Sequence, residues 1–100
     1  MLFEKTTEFY MANFEPEMAR FAQAVEENKK DEALIFKNKT INILGQILAS
    51  TNLSPAGREE WQVIRNLVES YDSIDDFSKK VLLAYGQPFS YAFMKKLSLI

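Results

Sequence analysis

The chain contains neither cysteine nor histidine. Without cysteine there are no disulfides and no thiolate metal ligands, which removes stapled scaffolds and cysteine zinc sites from consideration. Without histidine the commonest metal ligand is missing, and so is the side chain that titrates near neutral pH unaided. A nucleophile would have to be Ser, Thr, Lys, Tyr or a carboxylate, and no pair of such residues at telling spacing stands out. Glycine and proline are scarce, at three each; that suits long helices with short joints better than a many-turned β sandwich. The glycines, Gly45, Gly57 and Gly86, stand apart, so there is no glycine-rich phosphate loop. Neither sign of charge dominates. Residues 1–30 hold six acids and four bases, and residues 61–100 hold four acids and five bases. No global field therefore draws the chain to nucleic acid or an anionic membrane. Glu4 interrupts the start before an apolar run develops, unlike a secretory signal. The uncharged stretch 40–57 is too polar to span a bilayer, with Thr40, Asn42, Gly45, Gln46, Asn52 and Pro55. A cytoplasmic location is expected.

What remains is a globular composition: 100 residues, 47% apolar and 26% charged. One helical domain over residues 1–100 is expected, able to bury roughly two-thirds of the surface of its unfolded chain. The stretch from Asp31 to Ser50 carries the broadest apolar face. Leu34, Ile41, Leu44, Ile47 and Leu48, with Ala33, Phe36 and Ile43, cover about half the circumference of a helix. This reads as the central post of a bundle. Asn38, Asn42 and Gln46 form an i, i+4, i+8 row, read as lying opposite that arc. The row is either an interface or ligand-binding ladder, or a solvated face. Gly45 beside it would let another backbone approach closely.

Upstream, Phe14, Met18, Phe21 and Val25 form a helical stripe, continued backward by Tyr10 and Phe3. Pro16 inside a helix would forfeit a hydrogen bond and clash with the Ala12 carbonyl, at about 3 kcal/mol. The spacing favours a short helix near 3–12 and a main one over 14–28 with Asn13 as N-cap; one continuous, kinked helix is the alternative. Residues 26–30 make a short charged connection, so the flanking helices should be antiparallel. Ser54-Pro55 marks a helix start over 54–71, with Trp61, Ile64, Leu67 or Val68, and Tyr71 inward. Ser73 to Asp76 resembles a capping box opening a helix over 74–86. Phe77, Val81, Ala84 and Tyr85 are its expected buried face, and Gly86 its C-cap. The tail after Pro88 can form a last short helix with Phe89, Phe93, Leu97 and Ile100 on one side.

Two constellations carry functional readings. Residues 47–58, ILASTNLSPAGR, resemble the turn region of helix-turn-helix DNA-binding domains, with Ala49, Leu53, Ser54 and Pro55 in place. The likeness spans about a dozen residues and implies Ser54, Arg58 and Arg65 as nucleic-acid contacts. Arg58 and Gln62 stand where that pattern wants apolar core residues, and Glu59 and Glu60 oppose phosphate. The second constellation is aromatic: Phe3, Phe9, Tyr10 and Phe14 near one end, and Phe89, Tyr91 and Phe93 near the other. They either close the core over the joined termini or dock a partner. Asp72, Asp75 and Asp76 are better explained by helix-start electrostatics than by a metal.

The expectation is an all-α protein: a small helical bundle of four main helices, near 14–28, 31–50, 54–71 and 74–86, with short helical pieces at both termini. Its function is read as a small non-enzymatic protein-interaction or regulatory module, a homodimer, needing no cofactor or metal. The candidate partner interface is Asn38, Asn42, Gly45, Gln46, Phe89, Tyr91 and Phe93. The alternatives are a helix-turn-helix-like DNA-binding regulator using residues 54–65, for which nucleic acid is the less favoured partner, and an apolar small-ligand carrier.

Overall fold

The computed structural model describes residues 5–96. It is the expected all-α bundle: α1 (Thr7–Glu26), α2 (Lys30–Leu48), α3 (Pro55–Glu69), a 3-10 turn (Tyr71–Ser73), α4 (Asp76–Tyr85) and a short α5 (Gln87–Lys96). No strand occurs among the described residues. Phe3, Leu97 and Ile100, assigned above to terminal stripes, lie outside them.

The break expected near Asn13 does not occur. Thr6 caps α1, its hydroxyl accepting from the Phe9 N–H. Asn13 is mid-helix and donates its side-chain amide to the Phe9 carbonyl at 2.7 Å. Pro16 stays inside the helix. The reason is tertiary: Phe14 and Met18, on either side of Pro16, are fully buried and Phe21 is nearly so. Burying each such side chain returns about 1.5–3 kcal/mol, which together outweighs the proline penalty.

α1 ends in a Schellman turn. Asn28 adopts the left-handed region at φ 57°, the Asn28 N–H donates to Val25 O at 3.1 Å, and the Lys29 N–H donates to Ala24 O at 2.9 Å. This reverses the chain, so α2 runs back along α1. The start of one helix faces the end of the other, and Thr7 Oγ1 and Ser50 Oγ share a hydrogen bond at 2.5 Å.

The helix over 31–50 is not the post. α1 packs most extensively against α2 and also meets α4 and α5, while its Phe14 ring meets Trp61 of α3 at 5.5 Å. α2 packs on α1 and α3, burying Leu44, Ile47 and Thr40. The Thr40 hydroxyl satisfies itself on the Phe36 carbonyl at 2.8 Å. The N-terminal part of the expected arc projects outward, leaving Leu34 60% and Ile35 53% exposed.

α3 follows its sequence pattern closely. Ser54 caps it by accepting from the Gly57 N–H at 3.0 Å, and Trp61, Ile64 and Val68 are buried, with Tyr71 just beyond. α4 does not. Its N-cap is Asp75, accepting from the Ser78 N–H at 2.8 Å; Ser73 instead ends the 3-10 turn. The helix is also rotated from the expected face: Leu82 is fully buried, whereas Phe77 and Val81 are exposed. Two contacts set the rotation. Tyr85 meets Trp61 edge-to-face at 4.9 Å, and Gly86 lies against α1. A Cβ on Gly86 would sit 2.7 Å from Glu15 Cβ and 3.0 Å from the Glu15 Cα and N. Gly86 is the C-cap, with a right-handed backbone, so its missing side chain serves close approach and not a left-handed turn.

Candidate functional site

The carboxamide row is exposed, on the side of α2 away from the buried Thr40, Leu44 and Ile47, and it borders open clefts shared with α1. Asn38 and Asn42 line an open cleft of about 440 Å³ with Phe9, Tyr10, Asn13, Glu17, Lys39 and Ile43. Gln46 lines a neighbouring cleft of about 420 Å³, which shares Tyr10 and continues past Thr6 and Thr7 to Ser50 and Asn52. All three carboxamides are exposed. Tyr10, Asn13 and Glu17 of α1 share the first cleft with Asn38 and Asn42, and Tyr10 shares the second with Gln46. Phe9, Asn13 and Glu17 recur at i, i+4, i+8 on α1, the same spacing as the row on α2. That matched spacing was a signal in the sequence, legible once the two helices are known to be antiparallel.

Glu17 is the acid in the cleft wall. One carboxylate oxygen pairs with Arg20 at 2.5 Å; the other is enclosed and has no hydrogen-bond partner. Lys39 carries its ammonium over the Phe36 ring, 5.6 Å from the centroid. Gly45 does not receive a second backbone, contrary to the sequence expectation. The nearest atom to a Cβ built there is an Arg65 guanidinium nitrogen at 4.0 Å.

The C-terminal aromatics divide. Phe89 packs at 5.2 Å on Trp61 and 5.6 Å on Tyr85. Phe93 meets Phe9 edge-to-face at 6.1 Å. These contacts join the two ends of the chain over the bundle, the core-closing arrangement. Tyr91 alone of the three points outward, 61% exposed. Phe89, Tyr91 and Phe93 therefore form no common surface with Asn38, Asn42 and Gln46, although the Phe9 ring both lines the cleft and touches Phe93. Beneath them the Tyr85 hydroxyl donates to Glu60 at 2.7 Å. Burial, and then that carboxylate, push the Tyr85 phenol far above its ordinary value.

The residues of the helix-turn-helix reading have intramolecular roles. Ser54 is a cap. The Arg58 guanidinium donates to the carbonyls of Leu48 and Ser50, the latter at 2.7 Å, satisfying the otherwise unpaired C-terminal end of α2. Arg65 pairs with Glu69 at 3.0 Å. An arginine answering the end of the preceding helix explains why Arg58 occupies a position that the DNA-binding pattern keeps apolar.

Sequence reasoning missed two features: the α1 side of the cleft, and the outward face of α4. There Phe77 is 74% and Val81 38% exposed, and Ala84 completes the stripe at i, i+4, i+7. Asp76 and Lys80 flank it, both exposed, while Lys79 lies over the Tyr71 ring at 5.0 Å. Hydrogen bonding to the Ser78 backbone holds the Asp75 carboxyl below the usual carboxylate range. Among the described residues no acidic group is clustered to hold a metal ion, and no helix is long and apolar enough to cross a membrane. No family model, curated protein or solved structure matches the chain.

Proposed function

We propose that the protein is a small non-enzymatic cytoplasmic interaction module that acts by binding protein through a helical apolar surface, and that it does so first as a homodimer. The observation that carries this reading is the outward stripe of α4, with the Phe77 ring 74% exposed. A large aromatic on the solvent side of an amphipathic helix gains the free energy of apolar burial only when a partner covers it. The charges beside the stripe favour a second copy. Along α4 the acids Asp75 and Asp76 come first and the exposed base Lys80 follows. A two-fold axis perpendicular to α4 sets the paired helices antiparallel, so the acidic start of each lies toward the basic part of the other; an axis along the helices would set like against like.

Size-exclusion chromatography with light scattering, at two concentrations tenfold apart, tests this. The expected result is a dimer for the natural chain and a monomer for Phe77→Asp/Val81→Asp with unchanged circular dichroism. A natural chain that is monomeric at both concentrations, or a dimer that survives the double substitution, overturns the α4 homodimer.

A further inference from the structure

α5 is the least anchored helix of the bundle. Each of α1 to α4 buries at least one apolar side chain, whereas α5 buries none. No salt bridge among the described residues ties it down. It rests on the bundle through two half-buried rings one turn apart, Phe89 on Trp61 and Tyr85, and Phe93 on Phe9. Between α5 and α1 a hollow of about 110 Å³ remains, lined by Glu8, Met11, Ala92 and Lys96 with those two rings. Little buried surface and incomplete filling mark an element that opens before the rest of a fold does.

The joint to α4 lets α5 move as a unit. α4 ends at Tyr85 and α5 begins at Gln87, so Gly86 alone separates them. Gly86 is pressed against the Glu15 backbone with no room for a side chain, which fixes the end of α4 to α1. Just beyond that fixed point Pro88 has no N–H, so no helical hydrogen bond runs from it back to Ala84. Swinging α5 away needs torsion changes at Gly86 and Gln87, a few element-terminal residues of the kind that form hinges, and leaves Leu82 of α4 in the core. The face uncovered carries Trp61 and Tyr85, with Phe9 at its edge. Its closed-state occupant shows what it accepts: an amphipathic helix that presents two aromatic rings at i, i+4.

We propose that α5 is a hinged lid and the resident occupant of a helix-binding groove. Opening at Gly86 and Gln87 lets an amphipathic helix of a partner protein, with two aromatic residues four apart, take its place on Trp61, Tyr85 and Phe9. The α4 stripe takes no part in this, and the groove stands whether or not α4 self-associates.

The probe is a fluorescein-labelled peptide of residues 86–96, acetylated and amidated, titrated into full-length proteins by fluorescence anisotropy. In one protein the lid is weakened by Phe89→Ala/Phe93→Ala. In another it is held shut by Glu8→Cys/Lys96→Cys joined with a short bismaleimide, a reaction confined to that pair because the chain has no cysteine of its own. Apparent affinity scales with the open fraction, so binding should tighten about tenfold or more in the first protein and weaken about tenfold or more on cross-linking the second. Phe77→Asp in the protein leaves binding unchanged, and Phe89→Ala/Phe93→Ala in the peptide abolishes it. Trp61, the sole tryptophan, supplies a second readout. Its quenching by acrylamide should rise in the weakened-lid protein and fall again when the peptide binds, while circular dichroism loses no more helix than the ten residues of α5. Three results overturn the inference: the peptide binds none of the proteins, cross-linking leaves its binding unchanged, or the weakened-lid protein loses helix well beyond α5. Loss of binding in Phe77→Asp would place the peptide on α4 and overturn it as well. A monomeric natural chain with the expected peptide binding would overturn only the homodimer.

Discussion

α3 and α4 are both amphipathic, both capped at their N-terminus by a side-chain oxygen, and packed on each other. Yet α3 buries its largest apolar residues and α4 turns its largest outward. In α3 a single stripe, Trp61, Ile64 and Val68, dominates, so only one rotation about the helix axis buries much apolar surface. α4 carries apolar residues on two sides, Phe77, Val81 and Ala84 on one and Leu82 and Tyr85 on the other, and a ten-residue helix can press only one side against the core. Packing elsewhere chooses. Tyr85 must reach Trp61, and Gly86 must reach the Glu15 backbone. The helix is thus oriented from its C-terminal end, and Phe77 is left outside. A helix with one apolar face is positioned by itself; a helix with two is positioned by its neighbours.

The largest expected effect lies at the residue both helices depend on. Trp61 makes ring contacts with Phe14 of α1, Tyr85 of α4 and Phe89 of α5. Trp61→Ala should cost about 3–5 kcal/mol in urea unfolding and release α4 and α5 along with α3. A loss below about 1 kcal/mol would mean that Trp61 does not orient α4.

Gly86→Ala comes next. The added methyl meets Glu15 backbone atoms at 3.0 Å, which cannot yield as a flexible side chain can, so a cost of about 1–3 kcal/mol is expected. Gly45→Ala is its counterpart of opposite sign. The space there is open, and replacing an interior helical glycine should stabilise by about 0.5–1 kcal/mol. The pair of melting curves separates close approach from helix propensity.

The two N-caps sharpen the comparison further. Ser54→Ala should cost about 1 kcal/mol at any pH, since a hydroxyl cap does not titrate. The Asp75 cap does titrate. Its folded-state value is depressed, so its contribution is complete above the ordinary carboxylate range and lost as pH falls through the lowered folded value. Amide-exchange protection factors, referenced to the intrinsic rate at each pH, should therefore fall at the start of α4 as pH drops below the ordinary carboxylate range while those at the start of α3 do not. Asp75→Asn keeps an acceptor oxygen and should remove the difference.

The smallest effect on stability should come from Phe77→Asp, within about 0.5 kcal/mol for the monomer because the ring touches little of its own chain. A large loss of monomer stability there would show that α4 is held by its outer face, and the contrast with α3 would fall.

The same contrast describes how much could be read without the fold. Ser54 as cap, Pro55 at the first helical position and the Trp61–Tyr71 stripe were legible because capping and a single apolar period are local properties. Asn38, Asn42 and Gln46 were legible as a row, but not as a border of clefts shared with α1. The residues across the cleft, Phe9, Tyr10, Asn13 and Glu17, come from a helix expected to break near Asn13 because of Pro16. The roles of Arg58 and Gly86 were not legible, since both answer atoms of other helices: the α2 carbonyls and the Glu15 backbone.

Local pattern alone set the all-α class, the approximate positions of α2 and α3, and the burial of Phe14, Met18 and Phe21 along α1. Each follows from periodicity and turn chemistry within about twenty residues. The tertiary structure decided that α1 runs unbroken through Pro16, that α1 and not α2 is the element most others pack against, and which face of α4 is outward. Those outcomes depend on sums of burial contributed by several helices at once. A local penalty of about 3 kcal/mol at one proline, or a choice between two apolar sides, is settled by that sum and not by the residues alone.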